Sequence, residues 1–337
     1  MTQAVVRRAS GSMFGLAYGD ALGKPTEFLR YEEILDRYGV GGPQELDGDP
    51  ALVTDDTQMG LAVADALLSA LEERPLTPQR LEPRTRGRFL HWAASDENNR
   101  APGMTCMRAI GRLGDGRPWV LATEQGSKGC GANMRVTPVG LVPGLSGAER
   151  AGAAQLQAAM THGHPTALAA SELTAYTVHL LVNGLAPREL PRALRERCRE
   201  QREVYRGDWL GDLWQRPGET SEASFIARGW DECLGVLDRL DAALAAPDRT
   251  ADPCLATGAG WIAEEAFATA LHCFLLFESE PVAMLGRAAA TSGDSDSIAC
   301  LAGAFAGAAH GMGAWPAEWA ERIEYAAELD RIGRAWD

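Results

Sequence analysis

The chain has no metal-thiolate pattern: its seven cysteines, at 106, 130, 198, 233, 254, 273 and 300, are scattered, without a C-x-x-C pair. An odd, dispersed set is no disulfide framework and fits a reducing compartment. Long apolar runs are missing too. The longest, around 266–277 and 298–309, are roughly a dozen residues, short of the ~20 a membrane helix needs. Gly11, Ser12 and Asp20 interrupt any apolar core near the N-terminus, so no signal peptide is expected. Basic charge is scarce: 32 Lys+Arg against 46 Asp+Glu give a net charge of −14. Such a surface speaks against general affinity for DNA or RNA, although a local basic or helix-dipole pocket can still hold an anion. Period-2 alternation of β-branched residues is absent, while alanine fills nearly every periodic segment. These absences predict a soluble, cytoplasmic, all-α protein with neither membrane nor nucleic acid as a partner.

What is present can build a large core, since 46% of the 337 residues are hydrophobic. Without repeats or a convincing linker, residues 1–337 read as one compact helical domain, with 185–224 as a charged peripheral excursion. Gly11, Gly15, Gly19 and Gly23 recur every fourth position, clearing one face of a helix over 10–24 for close packing. Glycine weakens an isolated helix, so this one is expected to be buried. Pro25-Thr26-Glu27 ends it and leaves Glu27 at the exit. Apolar periodicity predicts a helix over 58–71. The Pro- and Arg-rich stretch 72–88 reads as a solvated connection before a short helical piece at 89–94. Later helical patterns span 104–113, 171–182, 225–244, 263–277, 284–290, 298–311 and 315–336.

Two short stretches concentrate hard oxygen ligands where a helical pattern begins: Thr54-Asp55-Asp56-Thr57 and Gly293-Asp294-Ser295-Asp296-Ser297. If the two meet, four carboxylates share one buried place, and each unpaired buried carboxylate costs several kcal/mol or stays protonated. A divalent ion resolves this. Carboxylates with the Thr54 and Ser297 hydroxyls form an all-oxygen set suited to Mg²⁺, Mn²⁺ or Ca²⁺ rather than zinc, and four carboxylates leave room for two ions. Read singly, each stretch fits equally well as a helix N-cap, for which Ser, Thr and Asp are preferred.

Gly126 to Gly140 carries Gly-Ser-Lys-Gly-Cys-Gly-Ala-Asn-Met-Arg, whose exposed backbone N–H groups could cradle phosphate with Lys128 or Arg135 adding charge. It is neither a Walker A sequence nor a G-x-G-x-x-G fingerprint. His162 and His164 stand two apart with no third soft ligand nearby, which reads as a turn rather than zinc. The polar loop 95–103 reads as surface that could edge a pocket. Trp261, at a helix start, fits core packing or a base-stacking platform, and spacing alone favours the core.

Taken in order, these pieces resemble the ADP-ribosylglycohydrolase family. The resemblance rests on Gly15-x-x-x-Gly19-Asp20-Ala21-Leu22-Gly23-x-Pro25-x-Glu27, Thr54-Asp55-Asp56-Thr57, Gly129-x-Gly131-Ala132-x-Met134-Arg135-x-x-Pro138, Thr161-His162, Gly260-Trp261 and Gly293-Asp294-x-Asp296-Ser297, covering 11–311. It implies an orthogonal all-α bundle with a two-ion centre, usually Mg²⁺ or Mn²⁺, beneath a cleft for ADP-ribose. Thr54, Asp55, Asp56, Asp294, Asp296 and Ser297 would be the ligands, with Glu27 bordering the second ion. The loop from Ser127 to Arg135, including Gly129, Gly131 and Met134, would face the diphosphate, and His162 and Trp261 would flank the adenosine or terminal ribose. Ser297 stands where the family commonly has Thr, which keeps the hydroxyl but removes a methyl that stiffens the rotamer. Asn98 to Gly103 does not read as the Asp-Ile-Gly of many nitrogenase-regulating members, so acceptor specificity does not carry over from them.

The implied chemistry is hydrolysis at the distal ribose. Metal-held ribose hydroxyls and an activated water would meet an oxocarbenium-like state, with Asp55 and Asp56 as catalytic carboxylates and Glu27 as the next candidate base. The foremost substrate is N-linked ADP-ribosyl-arginine on protein. O-linked ADP-ribose, on serine or as an acetyl ester, is the alternative, and a non-catalytic, crystallin-like ADP-ribose-binding protein is the second.

Overall fold

A computed structural model describes residues 6–337 of the chain. Among these residues there are eighteen α-helices and three short 3-10 turns, with no strand; the only β-type pairings are isolated bridges such as Glu124 with His162 and Gly129 with Ile262. The all-α expectation holds. At the centre, the helix Arg8–Gly23 lies antiparallel against the helix Ser295–His310, and nearly every residue of both is buried. Small residues allow it. A Cβ on Gly15 would stand 2.2 Å from the Gly303 carbonyl oxygen, and one on Gly19 would stand 2.0 Å from that of Ala299. The two backbones therefore touch, which a side chain at either position would prevent. One consequence is positional: the C-terminal end of the first helix, with Asp20 and Glu27, is delivered to the N-terminal end of the second, with Asp294 and Asp296.

Two expectations need correction. The stretch 72–88 is not a loose connection; Pro78–Ala93 is a helix burying Leu81, Thr85, Phe89 and Trp92. Pro78 sits at its start, where a missing N–H is no loss, and the four buried positions recur at helical spacing despite the surrounding arginines. Residues 315–336 are not one helix but the turn Trp319–Arg322 and the helix Ala326–Trp336, broken where Tyr325 takes a left-handed conformation, φ 58°. Within 185–224, the helix Leu190–Gln201 buries Leu190, Leu194 and Cys198, and Leu210 and Leu213 are buried beyond it. No helix of the described residues is long and apolar enough to cross a membrane.

Candidate metal centre and cleft

The helix Asp55–Ala70 begins beside the start of Ser295–His310. Thr54 caps it, its hydroxyl accepting the Asp56 N–H at 3.3 Å. The stronger cap comes from another helix: Asp20, fully buried, accepts the N–H of Thr54 (3.0 Å), the N–H of Thr57 (3.0 Å) and the Thr57 hydroxyl (2.5 Å). Asp20 thus fixes the turn that presents Asp55 and Asp56. On the facing turn, the Ser297 N–H donates to Asp296 (2.9 Å), and the Asp294 N–H donates to the Ala259 carbonyl (2.8 Å). A Cβ on Gly293 would lie 1.7 Å from that same carbonyl oxygen, so only glycine admits the crossing.

These turns bring the two acidic stretches together. Oxygens of Glu27, Asp294 and Asp296 lie within 4.8 Å of one another. Thr54, Asp55, Asp56, Asp294, Asp296 and Ser297 are all buried. Asp55 accepts the Gly103 N–H at 3.2 Å, while one oxygen of Asp56 has no partner. Burial above all, and then the neighbouring carboxylates, push Asp55 up to about 7 and Glu27 up to about 9, with Asp56 and Asp294 raised well above the carboxylate range. The largest charged influences on these four come from other carboxylates, and the buried Arg135 guanidinium reaches only Asp55, without bonding to it. Helix N-termini offset part of this repulsion, each by about 0.3–1 kcal/mol. The rest, with the orphaned Asp56 oxygen and an all-oxygen donor set, fits a hard divalent cation.

Above the cluster opens a cleft of about 320 Å³ lined by Glu27, Asp55, Asp56, Asp294, Asp296 and Ser297 on one side and by Gly129, Gly131, Met134, His162 and Trp261 on the other. The glycine loop is pinned to the strand-like turn that carries the indole: the Cys130 N–H donates to the Trp261 carbonyl, and the Ala263 N–H to that of Lys128. Trp261 is 44% exposed and stacks on Phe28, with ring centroids 5.8 Å apart and planes 20° apart. His162 is buried, its Nδ1 shares a proton with the Thr161 hydroxyl at 2.8 Å, and burial lowers it to about 3, so the ring is neutral.

Three of the expected cleft residues lie elsewhere. Arg135 is fully buried behind His162, donating to Gln157 and Thr161 with its guanidinium 4.4 Å over the Phe89 ring. Next to glycines it reads as a surface cation, but its long stem reaches inward, where amide, hydroxyl and ring acceptors satisfy it. Lys128 is held by Glu232 and Glu264 and does not line the cleft. Ser127 lies one contact back from the cleft, 3.2 Å from the hydroxyl of Thr105, which does line it. His164 caps the helix Pro165–Val182, as a turn residue should.

Two contributors carry little sequence signal. Asp20 is the lone acid in a helix that is small and apolar beyond Arg8 at its start, and although it stands in the Gly19-Asp20-Ala21-Leu22-Gly23 motif, nothing there marks it as a cap for another helix. Phe28, 69% exposed with a left-handed φ of 65°, has none. The loop before Met104 supplies Ala101, Pro102 and Gly103 to the cleft rim. It is anchored by Arg100, which donates to the Val53 carbonyl and to Glu324, while Glu324 accepts the Val53 N–H at 3.1 Å.

Comparison with known proteins decides the family. The family model described as ADP-ribosylglycohydrolase matches residues 1–336. The chain belongs to the ADP-ribosylglycohydrolase family. Among relatives of this family, the ADP-ribosyl-[dinitrogen reductase] glycohydrolase of Rhodospirillum rubrum is 25% identical over 96% of this chain and 92% of its own length. The ADP-ribosylarginine hydrolase Tri1 of Pseudomonas putida is 26% identical over 97% of this chain and 77% of its own. A solved ADP-ribosylglycohydrolase-related protein complex shares the fold, with a TM-score of 0.68 at 23% identity and 98% of each chain covered. As a family member, the protein is a glycohydrolase acting on ADP-ribose linkages.

Proposed function

We propose that this glycohydrolase is metal-dependent and removes ADP-ribose from modified arginine on protein. The observation that carries the reading is the acid cluster: buried carboxylates gathered at the floor of a cleft, with only other carboxylates as the charged neighbours of Asp56 and Asp294. Thr54, Asp55, Asp56, Asp294, Asp296 and Ser297 would hold two divalent cations, Mg²⁺ with Mn²⁺ as the substitute, and Glu27 would border the second. When bound, such ions supply coordination of vicinal ribose hydroxyls and a water acidified toward neutral pH. Asp55 and Asp56 stabilise positive charge developing at the anomeric carbon and carry the proton of the attacking water to the departing guanidine nitrogen, with Glu27 as the next candidate base. Neutral His162 serves as a hydrogen-bonding group rather than an acid. Gly129, Gly131 and Met134 offer a side-chain-poor wall to the diphosphate, and Trp261 gives a face to the base. Two relatives point to the acceptor by their names, one an ADP-ribosylarginine hydrolase and one acting on dinitrogen reductase.

The test is direct: incubate the protein with arginine-, serine- and acetyl-linked ADP-ribose, with Mg²⁺, Mn²⁺ or chelator, and follow ADP-ribose release. Release from the arginine conjugate only with metal is the expected result. Release from the serine or acetyl conjugate alone would replace arginine with an O-linked acceptor. Binding of ADP-ribose without any release would leave a reader rather than an enzyme.

A further inference from the structure

A second cavity, of about 370 Å³, lies at the other end of the helix Arg8–Gly23 and shares no lining residue with the cleft. Twelve helical residues separate Arg8 at its wall from Asp20 beneath the acid cluster, about 18 Å at 1.5 Å per residue. Its walls include Arg7, Arg8, Arg150, His179 and Asn183 together with one acid, Asp337, and Val142 and Trp336 as apolar surface. Arg150 is the unusual member. It is 6% exposed, its Nε has no partner, and its Nη2 reaches only the carbonyls of Leu145 (3.3 Å) and Val142 (3.5 Å).

No carboxylate bonds to it: Glu149 acts on it only through space, and the nearby acids are engaged elsewhere. Glu149 accepts the N–H groups of Ser146 and Leu76; Glu172 is held by Arg197 and Gln155; Asp337 accepts the Ser10 N–H and hydroxyl and pairs with Arg7. A buried, unpaired guanidinium costs several kcal/mol unless an anion joins it. Donors for an anion are already turned out. Asn183 donates to His179 Nδ1 at 3.1 Å, which leaves Nε2–H as the donor of a ring on the cavity wall. Arg8 spends Nη1 on the Leu181 carbonyl, and its other nitrogens have no hydrogen-bond partner among the described residues.

We propose that this cavity is a second, anion-binding site that takes the phosphate group of a small molecule between Arg150, Arg8 and His179. The space exceeds that of phosphate alone, so an organic part would rest on Val142 and Trp336. The decisive experiment titrates inorganic phosphate calorimetrically into the full chain with the cleft filled by Mg²⁺ and ADP-ribose, at constant ionic strength set with sodium chloride. One saturable site is expected, weakened about tenfold or more by Arg150→Met and by Arg8→Gln, each of which removes a charged hydrogen bond. Both variants should keep the ADP-ribose affinity of the parent. In phosphate-free buffer Arg150→Met should melt no lower than the parent, since it removes a charge to which no carboxylate bonds. Absence of saturable binding, displacement of phosphate by ADP-ribose, or undiminished binding in Arg150→Met would overturn the proposal. Should Arg150→Met not fold, parental affinity in Arg8→Gln overturns it instead. Should ADP-ribose itself fail to bind, the reading of the cleft falls, and phosphate binding is still judged against the two arginine variants.

Discussion

Glu172 and Asp56 are equally buried, each 2% exposed, yet they keep opposite company. Glu172 is surrounded by donors: Arg197 at 2.6 and 3.0 Å, Gln155 at 2.7 Å and Arg206 at 3.6 Å. Asp56 has one oxygen with no partner, and the charges that reach it come from Asp20, Asp55, Asp294 and Asp296. Burial alone therefore says little about a carboxylate's purpose. The first is a closed account of charge within the protein, which ties Leu190–Gln201 to Pro165–Val182. The second is open, and on the proposed reading its missing positive partner is a cation from outside the chain.

The sharpest way to break this comparison is to remove one member of the open set. Asp296→Ala should eliminate turnover and metal binding, while its chelated form melts no lower than the chelated parent, because carboxylate repulsion is relieved. Turnover retained at saturating Mg²⁺ would place Asp296 outside the metal set. The matching change in the closed set has the reverse character. Glu172→Ala leaves Arg197 and Arg206 without their acid and should lower stability by about 3–5 kcal/mol in urea unfolding. Specific activity of its folded fraction should stay parental, and a large activity loss would dissolve the distinction.

A pH series sharpens the contrast further. Without metal, burial holds Glu27 up to about 9 and Asp55 up to about 7, so the folded chain keeps protons that the unfolded chain loses near pH 4. Raised folded values mean that metal-free stability falls as pH rises through the window from about 4 to these values. A bound cation replaces those protons. The Tm difference between Mg²⁺-loaded and chelated protein should accordingly widen from pH 5 to pH 8, as calorimetry would show; a constant gap would mean the carboxylates are compensated without metal.

The smallest effect is expected at the cleft wall. Trp261→Ala should raise KM for ADP-ribosylated substrate about tenfold to a hundredfold, the loss of a stacking contact of roughly 1–3 kcal/mol, with kcat little changed. An indole 44% exposed contributes little to the core, so Tm should barely move. A variant that melts far lower yet binds ADP-ribose normally would return Trp261 to the core.

How much of this was readable in advance follows from how each residue acts. Asp55, Asp56, Asp294 and Asp296 sit in contiguous runs at helix starts, so local chemistry exposes them. The glycine spacing from Gly11 to Gly23 announces a close partner without naming it, since the partner is Gly303 and its neighbours, far along the chain. Asp20 acts on the N–H groups of Thr54 and Thr57, more than thirty residues on, and the motif around it does not reveal that role. Arg135 and Lys128 misled because charge beside glycines resembles an anion cradle; their true partners, Gln157, Thr161, Glu232 and Glu264, are distant in sequence. The helix Pro78–Ala93 hid behind its arginines, whose long stems mask the spacing of four buried positions.

The pairing of Arg8–Gly23 with Ser295–His310 also bears on synthesis. A ribosome adds about 5–20 residues per second, so the first helix emerges on the order of tens of seconds before the helix that covers it. Throughout that interval most of its apolar, glycine-weakened surface lacks the helix it packs on. The turn bearing Asp55 and Asp56 waits with it, because Asp20 is set in place by the same late contact. Assembly of this hydrolase therefore waits on the helix Ser295–His310, and a nascent chain halted before residue 295 should remain open to protease across its first seventy residues.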